Sequence, residues 1–482
     1  MTEASGILSY GVYLPRKRLQ RAAIHAANGW FAPGLEGLAR GERTIADWDE
    51  DSVTMAVEAA RAALEDHDRQ SITGLSLAST TLPFADRLNA GIVKEALNLP
   101  DDVAAYDLTG SQRAATSGLA QALQAAGRGV HLALAGELRK ARPASEAEMT
   151  QGDGAAALLV GRGKVIARHL GSRSVTIDFV DHYRMTRSDF DYHWEARWIR
   201  DEGYLCMIGE ALRDALGAMD IAVDTVDHLI VPVTARGVGE GIAKRVGIRS
   251  QALIDPLLQQ VGDTGAAHPL LMLSAALERA KPGQVIVLIG FGQGVDIVAF
   301  ETTAALADLP GRRGVASALD RRMPDDNYPR YLFHRGLLDL DRGMRAEFDQ
   351  KQPGTTLWRH RKAVLGLVGG RCTQTGVVQF PKSDVSVGRN DHAVGTQQDY
   401  PLAELPARIV TYTADRLTYS PAPPSYYGVI DFEGGGRMMT EFADATEDQI
   451  EVGCAMRMVF RIKAFDEQRD FVKYFWKAAP AN

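Results

Sequence analysis

Cysteine is scarce in this chain: 482 residues carry three, Cys206, Cys372 and Cys454, widely separated. That is too few and too dispersed for a disulfide framework, so no disulfide and a reducing compartment are expected. Long apolar runs are missing as well; a stretch such as Val285 to Gly290 has the length of a strand, far short of a bilayer crossing. Met1 to Tyr13 lacks the basic start and apolar run of a secretory signal, and a cytoplasmic protein with no membrane partner is the expectation. Positive charge is not in excess either. The formal net charge is −7, and no Lys/Arg-rich run stands out, which argues against a nucleic-acid partner.

What is there is the composition of an ordinary folded protein, 45% hydrophobic and 24% charged, in a chain long enough for more than one domain. The first three hundred residues contain a duplication. In the first copy Leu75–Ser79 reads as a strand, Asn89–Leu97 as a helix and Ala104–Leu108 as a second strand. Gly110-Ser111-Gln112 then turns into a small-residue helix over Ala114–Ala126, and the strand His131–Ala135 closes the unit. In the second copy His228–Val233 is the strand, Val238–Val246 the helix, Gly262-Asp263-Thr264-Gly265 the turn into a helix over Ala266–Ala280, and Gln284–Gly290 the closing strand. Strands rich in Val, Ile and Leu without polar alternation belong in a parallel sheet covered on both faces. Each turn places the free amides and positive end of a helix where an oxyanion or phosphate can sit, unless it merely joins strand to helix.

The duplicated halves, the opening Gly6–Pro15 (GILSYGVYLP), Gly152–Leu159 (GDGAAALL) and the turn Gly290–Gly294 (GFGQG) together resemble the thiolase superfamily, and within it 3-hydroxy-3-methylglutaryl-CoA synthase and β-ketoacyl synthase III. The resemblance spans roughly residues 4–302. It implies an α/β fold of five layers, αβαβα, in two halves at 1–165 and 166–304, a homodimer, and a tunnel that takes a coenzyme A thioester as substrate, with no tightly bound cofactor. It also implies a cysteine nucleophile at the buried helix start, where the dipole favours the thiolate. Here the sequence departs from the family. Aligned without a gap, Gln112 stands at the cysteine position with Ser111 before it; glutamine cannot be acylated, and serine needs an adjacent base. The family's histidine falls at Pro232 or Val233, its asparagine at Asp263, and its glutamate near Thr80-Thr81-Leu82, where no carboxylate occurs.

Three readings stay open: different chemistry on a CoA thioester, a decarboxylase-like variant, since glutamine also replaces the cysteine in decarboxylating ketosynthase relatives, or a non-catalytic scaffolding subunit. The candidate catalytic residues are Gln112, Ser111, Asp263 and His268, the last either reaching the same cavity or packing beside it. Thr81, Tyr183, Arg197, Arg200, Thr264 and Gly292 are the candidate substrate-binding residues, with Thr81 either donating to a thioester carbonyl or ending a strand. The aromatic and charged run Tyr192–Tyr204 is either a cap over the tunnel, with Arg197 or Arg200 meeting phosphate or carboxylate, or an ion-paired surface helix. Cys206 reads as an inert thiol.

After Phe300 the texture changes. Asp308–Arg313 and Pro324–Pro329 are breaker-rich, and Tyr331–Phe348 has helical spacing, which suggests a linker and connector helix over 305–360. Around Arg371–Lys382 the chain looks like a zinc ribbon that lacks its second thiolate, so no metal is expected. Short β-type runs at Arg408–Thr413, Tyr427–Phe432, Arg437–Phe442 and Met456–Phe465 suit a small barrel, and 361–482 resembles the OB-fold modules that accompany thiolase-like proteins. The tail Arg469–Lys477 (RDFVKYFWK) either docks on a partner or packs on the barrel.

Overall fold

The computed structural model describes residues 4–65, 67–309, 314–343, 354–389, 392–467 and 469–481. The chain divides into two compact units: Met1–Asp47, Asp51–Gly91 and Pro100–Leu337 form one, and Trp48–Glu50, Ile92–Leu99 and Leu338–Asn482 the other. Among the described residues, no helix is long and apolar enough to cross a membrane.

The first unit is organised by strands β1 (Ser5–Tyr13), β2 (Ile72–Ala78), β3 (Ala104–Leu108), β4 (Val130–Glu137), β5 (Gly154–Arg162), β6 (Ala167–Thr176), β7 (Val226–Ile230), β8 (Val285–Phe291) and β9 (Gly294–Thr302). They join in the order β7-β8-β9-β6-β1-β5-β4-β2-β3. The duplication is visible in the pairing. β2 lies parallel to β3 and β4, while β7 lies parallel to β8 and meets Leu253 through an isolated parallel bridge at Leu229. The halves are joined through β1 and β6, which pair at Gly6 with Arg168 and Ile7 with Ala167.

Helices follow where the apolar spacing places them: α1 (Ser52–Leu64), α2 (Ala114–Ala125), α3 (Gly209–Ala218), α4 (Val238–Val246) and α5 (His268–Arg279). α2 and α5 pack on each other and on both halves of the sheet, α1 covers the outer side of the first half, and α3 and α4 flank the second. The result is the αβαβα layering. The sequence accounts for which helices lie inside: α5 is buried from His268 through Leu277, as a helix apolar on every side must be, and α2 presents Ala114, Ala115 and Gly118 for close approach. One detail differs from the expected helix over 266–280. Its first turn, Gly265–Ala267, is 3-10, and regular helix begins at His268.

Between β6 and α3 the chain inserts a small hairpin, His182–Tyr183 paired with Tyr192–His193, and a π-helical segment, Ile199–Ile208. The connector helix expected over 331–348 is shorter and earlier. Tyr328–His334 is helical, 338–343 are not, and the rest of that expectation, like 310–313 of the expected linker, lies outside the described residues.

In the second unit β10 (Ala407–Asp415), β11 (Ser425–Phe432), β12 (Arg437–Glu441), β13 (Ala455–Asp466) and β14 (Phe471–Pro480) form an antiparallel sheet of order β12-β11-β10-β13-β14. It curls closed where Phe442 bridges to Ala478 and the Thr440 hydroxyl donates to the Trp476 carbonyl at 3.0 Å. The tail read as a docking or packing segment is therefore the last barrel strand. Fully buried Arg461 pairs with Glu50 at 3.2 Å and Asp444 at 3.0 Å, and Lys477 with Asp49 at 2.9 Å. Where the ribbon-like segment falls, Val368–Cys372 joins a three-stranded sheet and Cys372 Sγ meets Thr396 Oγ1 at 3.1 Å.

Candidate functional site

The carboxyl ends of β2 and β4 and the starts of α2 and α5 converge in the first unit. Gly265 marks the point: a Cβ there would lie 2.8 Å from Gln112 Oε1, 2.9 Å from Glu137 Cγ and 3.1 Å from Arg139 Nε. The residue also has φ of +54°, the left-handed region that glycine enters without strain. Gln112 and the turn before α5 thus face one another, as the duplicated halves imply. Gln112 Oε1 and Arg139 Nε are buried with no hydrogen-bond partner among the described residues, and both point at this spot.

Glu137, the last residue of β4, is fully buried here. Its Oε1 accepts from the Thr81 hydroxyl at 2.6 Å and the Thr80 hydroxyl at 3.1 Å, its two oxygens receive the Thr80 amide at 3.1 and 3.2 Å, and Oε2 receives the Ala266 amide at 3.2 Å. Burial raises its proton affinity, and these hydrogen bonds and Arg139 only partly oppose it, so the carboxyl titrates above its ordinary value. The carboxylate that the sequence lacks at Thr80-Thr81-Leu82 is thus delivered to those residues by the neighbouring strand. A carboxyl thus stands in space where the aligned stretch of sequence has none.

Beside it Arg139 holds Asp263 at 2.6 Å, and Asp191 lies 3.8 Å from its other amino group. Burial disfavours the Asp263 charge, yet Arg139, His268 and the Gly265 amide outweigh it and hold Asp263 below the usual carboxylate range. The two carboxyls that flank this space are therefore pushed in opposite directions, the divergence that acid/base work requires. Arg184 closes one side, reaching the Thr80 carbonyl and lying 3.3 Å from Asp191.

The other candidates fare differently. His268 is buried with both nitrogens engaged: the Thr264 amide at 3.3 Å and hydroxyl at 3.2 Å face Nδ1, and Nε2 meets the Pro256 carbonyl at 3.0 Å. It fixes the turn and leaves no lone pair for a substrate. The same contacts overturn the expectation of open amides at Thr264. The Thr264 amide faces His268, that of Gly265 faces Asp263 at 2.9 Å and that of Ala266 faces Glu137 of β4, so side chains of the protein already fill this helix start. Thr81 spends its hydroxyl proton on Glu137 rather than on a thioester carbonyl. Ser111 donates to the Gly292 carbonyl at 2.9 Å and, among the described residues, touches no base.

Gly292 does belong to the site's wall. A Cβ on it would come within 2.7 Å of Ser111 Oγ and 3.1 Å of the Gln112 amide nitrogen, so the β8–β9 turn abuts the start of α2. Arg113 pins that contact, donating to the Gly292 carbonyl at 2.9 Å and to buried Asp296 at 2.8 Å. Tyr183, Arg197 and Arg200 lie on the exposed side of the insertion, Arg200 paired with neighbouring Asp201 at 2.7 Å. They do not join Gln112. Cys206 sits on the π-helical segment with its Sγ 3.3 Å from Glu210.

Glu137, Arg139, Thr80 and Arg184 were not among the candidates read from sequence. The available signal was the run Leu132 to Arg139: an apolar strand that ends in Glu-Leu-Arg at the sheet's carboxyl edge, where α/β proteins place ligands.

Layering and facing helix starts define a thiolase-like fold, followed by an OB-fold domain. Residues 216–301 match the 3-oxoacyl-[acyl-carrier-protein] synthase III C-terminal family, and residues 401–461 the C-terminal OB-fold domain of ChsH2. The chain is similar to hydroxymethylglutaryl-CoA synthases: 29% identical over 339 residues to that of Archaeoglobus fulgidus (68% of this chain, 98% of the relative), and 27% over 340 residues to that of Methanopyrus kandleri (68% and 96%). Among solved structures, MvaS in complex with 3-hydroxy-3-methylglutaryl coenzyme A superposes with a TM-score of 0.60 at 19% identity, covering 70% of this chain and 93% of that one. 3-Oxoacyl-(acyl carrier protein) synthase III from Pseudomonas aeruginosa superposes with a TM-score of 0.56 at 21% identity, covering 62% and 98%.

Proposed function

We propose that this protein is an acyl-CoA enzyme of the acyltransferase type that forms or cleaves the carbon–carbon bond beside a thioester carbonyl without passing through an acyl-enzyme. The observation that carries this reading is Glu137, a buried carboxyl of raised proton affinity set between Gln112 and Arg139. The relatives supply the substrate class. They are named hydroxymethylglutaryl-CoA synthases, and a solved structure of similar fold is that of HMG-CoA synthase complexed with CoA. Gln112 cannot be acylated, so the thioester stays on coenzyme A and its carbonyl lies at the start of α2, where one amide donor is worth roughly 3–4 kcal/mol to a developing enolate.

In the cleaving direction the β-hydroxyl loses its proton to solvent, its C–O bond becomes a carbonyl, and the Cα–Cβ bond breaks. The electron pair of that bond passes into the thioester enolate, and Glu137 delivers a proton to Cα. Joining is the reverse, with Glu137 as base. Asp263 serves to hold Arg139 in place. The protein works as a homodimer in this reading.

The test is incubation of the purified chain with CoA and a panel of β-ketoacyl, β-hydroxyacyl and malonyl thioesters, read by mass spectrometry. Turnover of at least one β-oxygenated thioester is expected, and Glu137→Gln should lower kcat by about 10²–10⁴-fold. No new thioester from any member of the panel would overturn the reading, and loss of carbon dioxide from malonyl thioester alone would turn it into a decarboxylase. The rival is a non-catalytic subunit of a thiolase-type complex, favoured by the self-filled amides at the start of α5. Activity that appears only with a cysteine-bearing homologue would establish it.

A further inference from the structure

We infer that the hairpin His182–His193 is the gate of this site and that Asp191, bridging Arg184 of the hairpin and Arg139 of the site, is the residue that latches it. The inference concerns the site of the proposed function and holds whichever thioester enters.

Glu137 and Thr264 have no accessible surface, and Arg139 is 5% exposed. A carboxyl that exchanges a proton with a substrate must come within about 3 Å of it, so one wall of the site has to move. The sheet and helix walls are fixed: β2 and β4 are paired rung by rung, and α2 and α5 lie in the core of the unit. The hairpin is built differently. It has two rungs, Tyr183 opposite Tyr192 and His182 opposite His193, and a two-stranded ribbon of that size has little stability of its own. The facing rings, 5.6 and 5.5 Å apart, hold its strands to each other, so it moves as one piece. Its base is pinned by Asp181, whose carboxylate receives Gln293 at 3.1 Å and whose carbonyl receives the Trp194 amide at 3.1 Å. That makes the base a pivot.

Beyond the rungs the hairpin meets the site through charged groups. Arg184 donates to the Thr80 carbonyl and faces Asp191 Oδ1 at 3.3 Å, while Asp191 Oδ2 faces Arg139 at 3.8 Å. Further out Asp189 stands 3.9 Å from Lys140, and Arg142 lies over the Phe190 ring at 4.6 Å. Thr80 and Arg139 are the neighbours of Glu137, the first bonded to its carboxyl and the second beside it at Gly265, so the hairpin closes over that carboxyl. Asp191 is the hinge of this arrangement because it meets both guanidiniums. Its Oδ2 is buried without a hydrogen bond among the described residues, so charge alone spans the gap to Arg139, and water or salt can take its place. On the outward face Tyr183, Tyr192 and Trp194 are exposed, and no packed layer resists an outward swing.

The experiment compares wild type with Asp191→Asn, which keeps the shape and removes the charge, and with Asp191→Glu, which keeps the charge. Two rates are read by peptide mass spectrometry: amide hydrogen exchange over 182–193, and labelling of Glu137 by a water-soluble carbodiimide with glycinamide at single-hit levels. Asp191→Asn should raise both by roughly fivefold, the upper range for one ion pair, and Asp191→Glu should stay within about twofold of wild type. Sodium chloride at about 0.5 M should speed both in wild type and leave Asp191→Asn unchanged. Unchanged labelling of Glu137 in Asp191→Asn overturns the inference, whether or not the hairpin exchanges faster. If exchange in Asp191→Asn rises throughout the protein, the salt series on wild type decides, and Glu137 labelling that ignores salt rejects the latch. A wild type inactive on every thioester overturns the proposed function and leaves the gate standing.

Discussion

Buried Glu137 and partly buried Asp263 are two acids beside Arg139, and their surroundings push them in opposite directions. Asp263 receives the guanidinium directly and is held below its ordinary value; Glu137 receives two amides and three hydroxyls, too little to repay its burial. If Glu137 is the base at the α-carbon, its charged form is the active one. Exchange of the substrate's α-proton should then rise with pH through a midpoint above the roughly 4.3 of an ordinary glutamate. NMR-detected deuterium uptake across a pH series measures it, and a rate already flat at about pH 5 would mean the carboxyl ionises like an exposed one. The aligned positions Thr80 and Thr81 are apt for this acid only in three dimensions. A residue-by-residue reading finds threonines there and stops, because the carboxyl arrives from the adjacent parallel strand, which no local spacing reports.

At the level of elements, the start of α2 is held by one buried ion pair. Arg113 reaches Asp296 of β9 at 2.8 Å, and the hydroxyls of Thr116 and Ser117 donate to the same carboxylate at 2.9 and 2.6 Å. Asp296→Ala leaves a guanidinium and two hydroxyls without their acceptor, so urea denaturation should register a loss of roughly 3–5 kcal/mol. A change under 1 kcal/mol would show that solvent replaces the carboxylate. Elements were legible where burial is uniform. The strands Ala104–Leu108 and Val285–Phe291 and the helix Val238–Val246 stand within a residue of where apolar runs and spacing put them. The last barrel strand was not, because Lys473 and Lys477 make Arg469–Lys477 look like a basic tail. Its period is two: Val472, Tyr474 and Trp476 are buried, and Lys477 is buried against Asp49 and Glu441. An ion-paired lysine inside a barrel reads from sequence as a surface one.

For the molecule as a whole, the layering could be read from the duplication alone, since two copies of one strand–helix order leave few ways to cover both faces of a sheet. Charge is the other property set at this scale. OB folds bind single strands through basic grooves, and a chain of net charge −7 offers little to a phosphate backbone. Fluorescence anisotropy of a labelled oligothymidine should therefore stay flat at micromolar protein and low salt; a saturable rise would return nucleic acid to the list of partners.

The empty Cα of Gly265 carries a consequence for ancestry. Any branch at 265 presses on Gln112, Glu137 and Arg139 together and strains its own backbone. A sister sequence bearing anything larger at that position would have to rebuild this cluster of side chains, so a single letter is a first sieve for descendants that kept it.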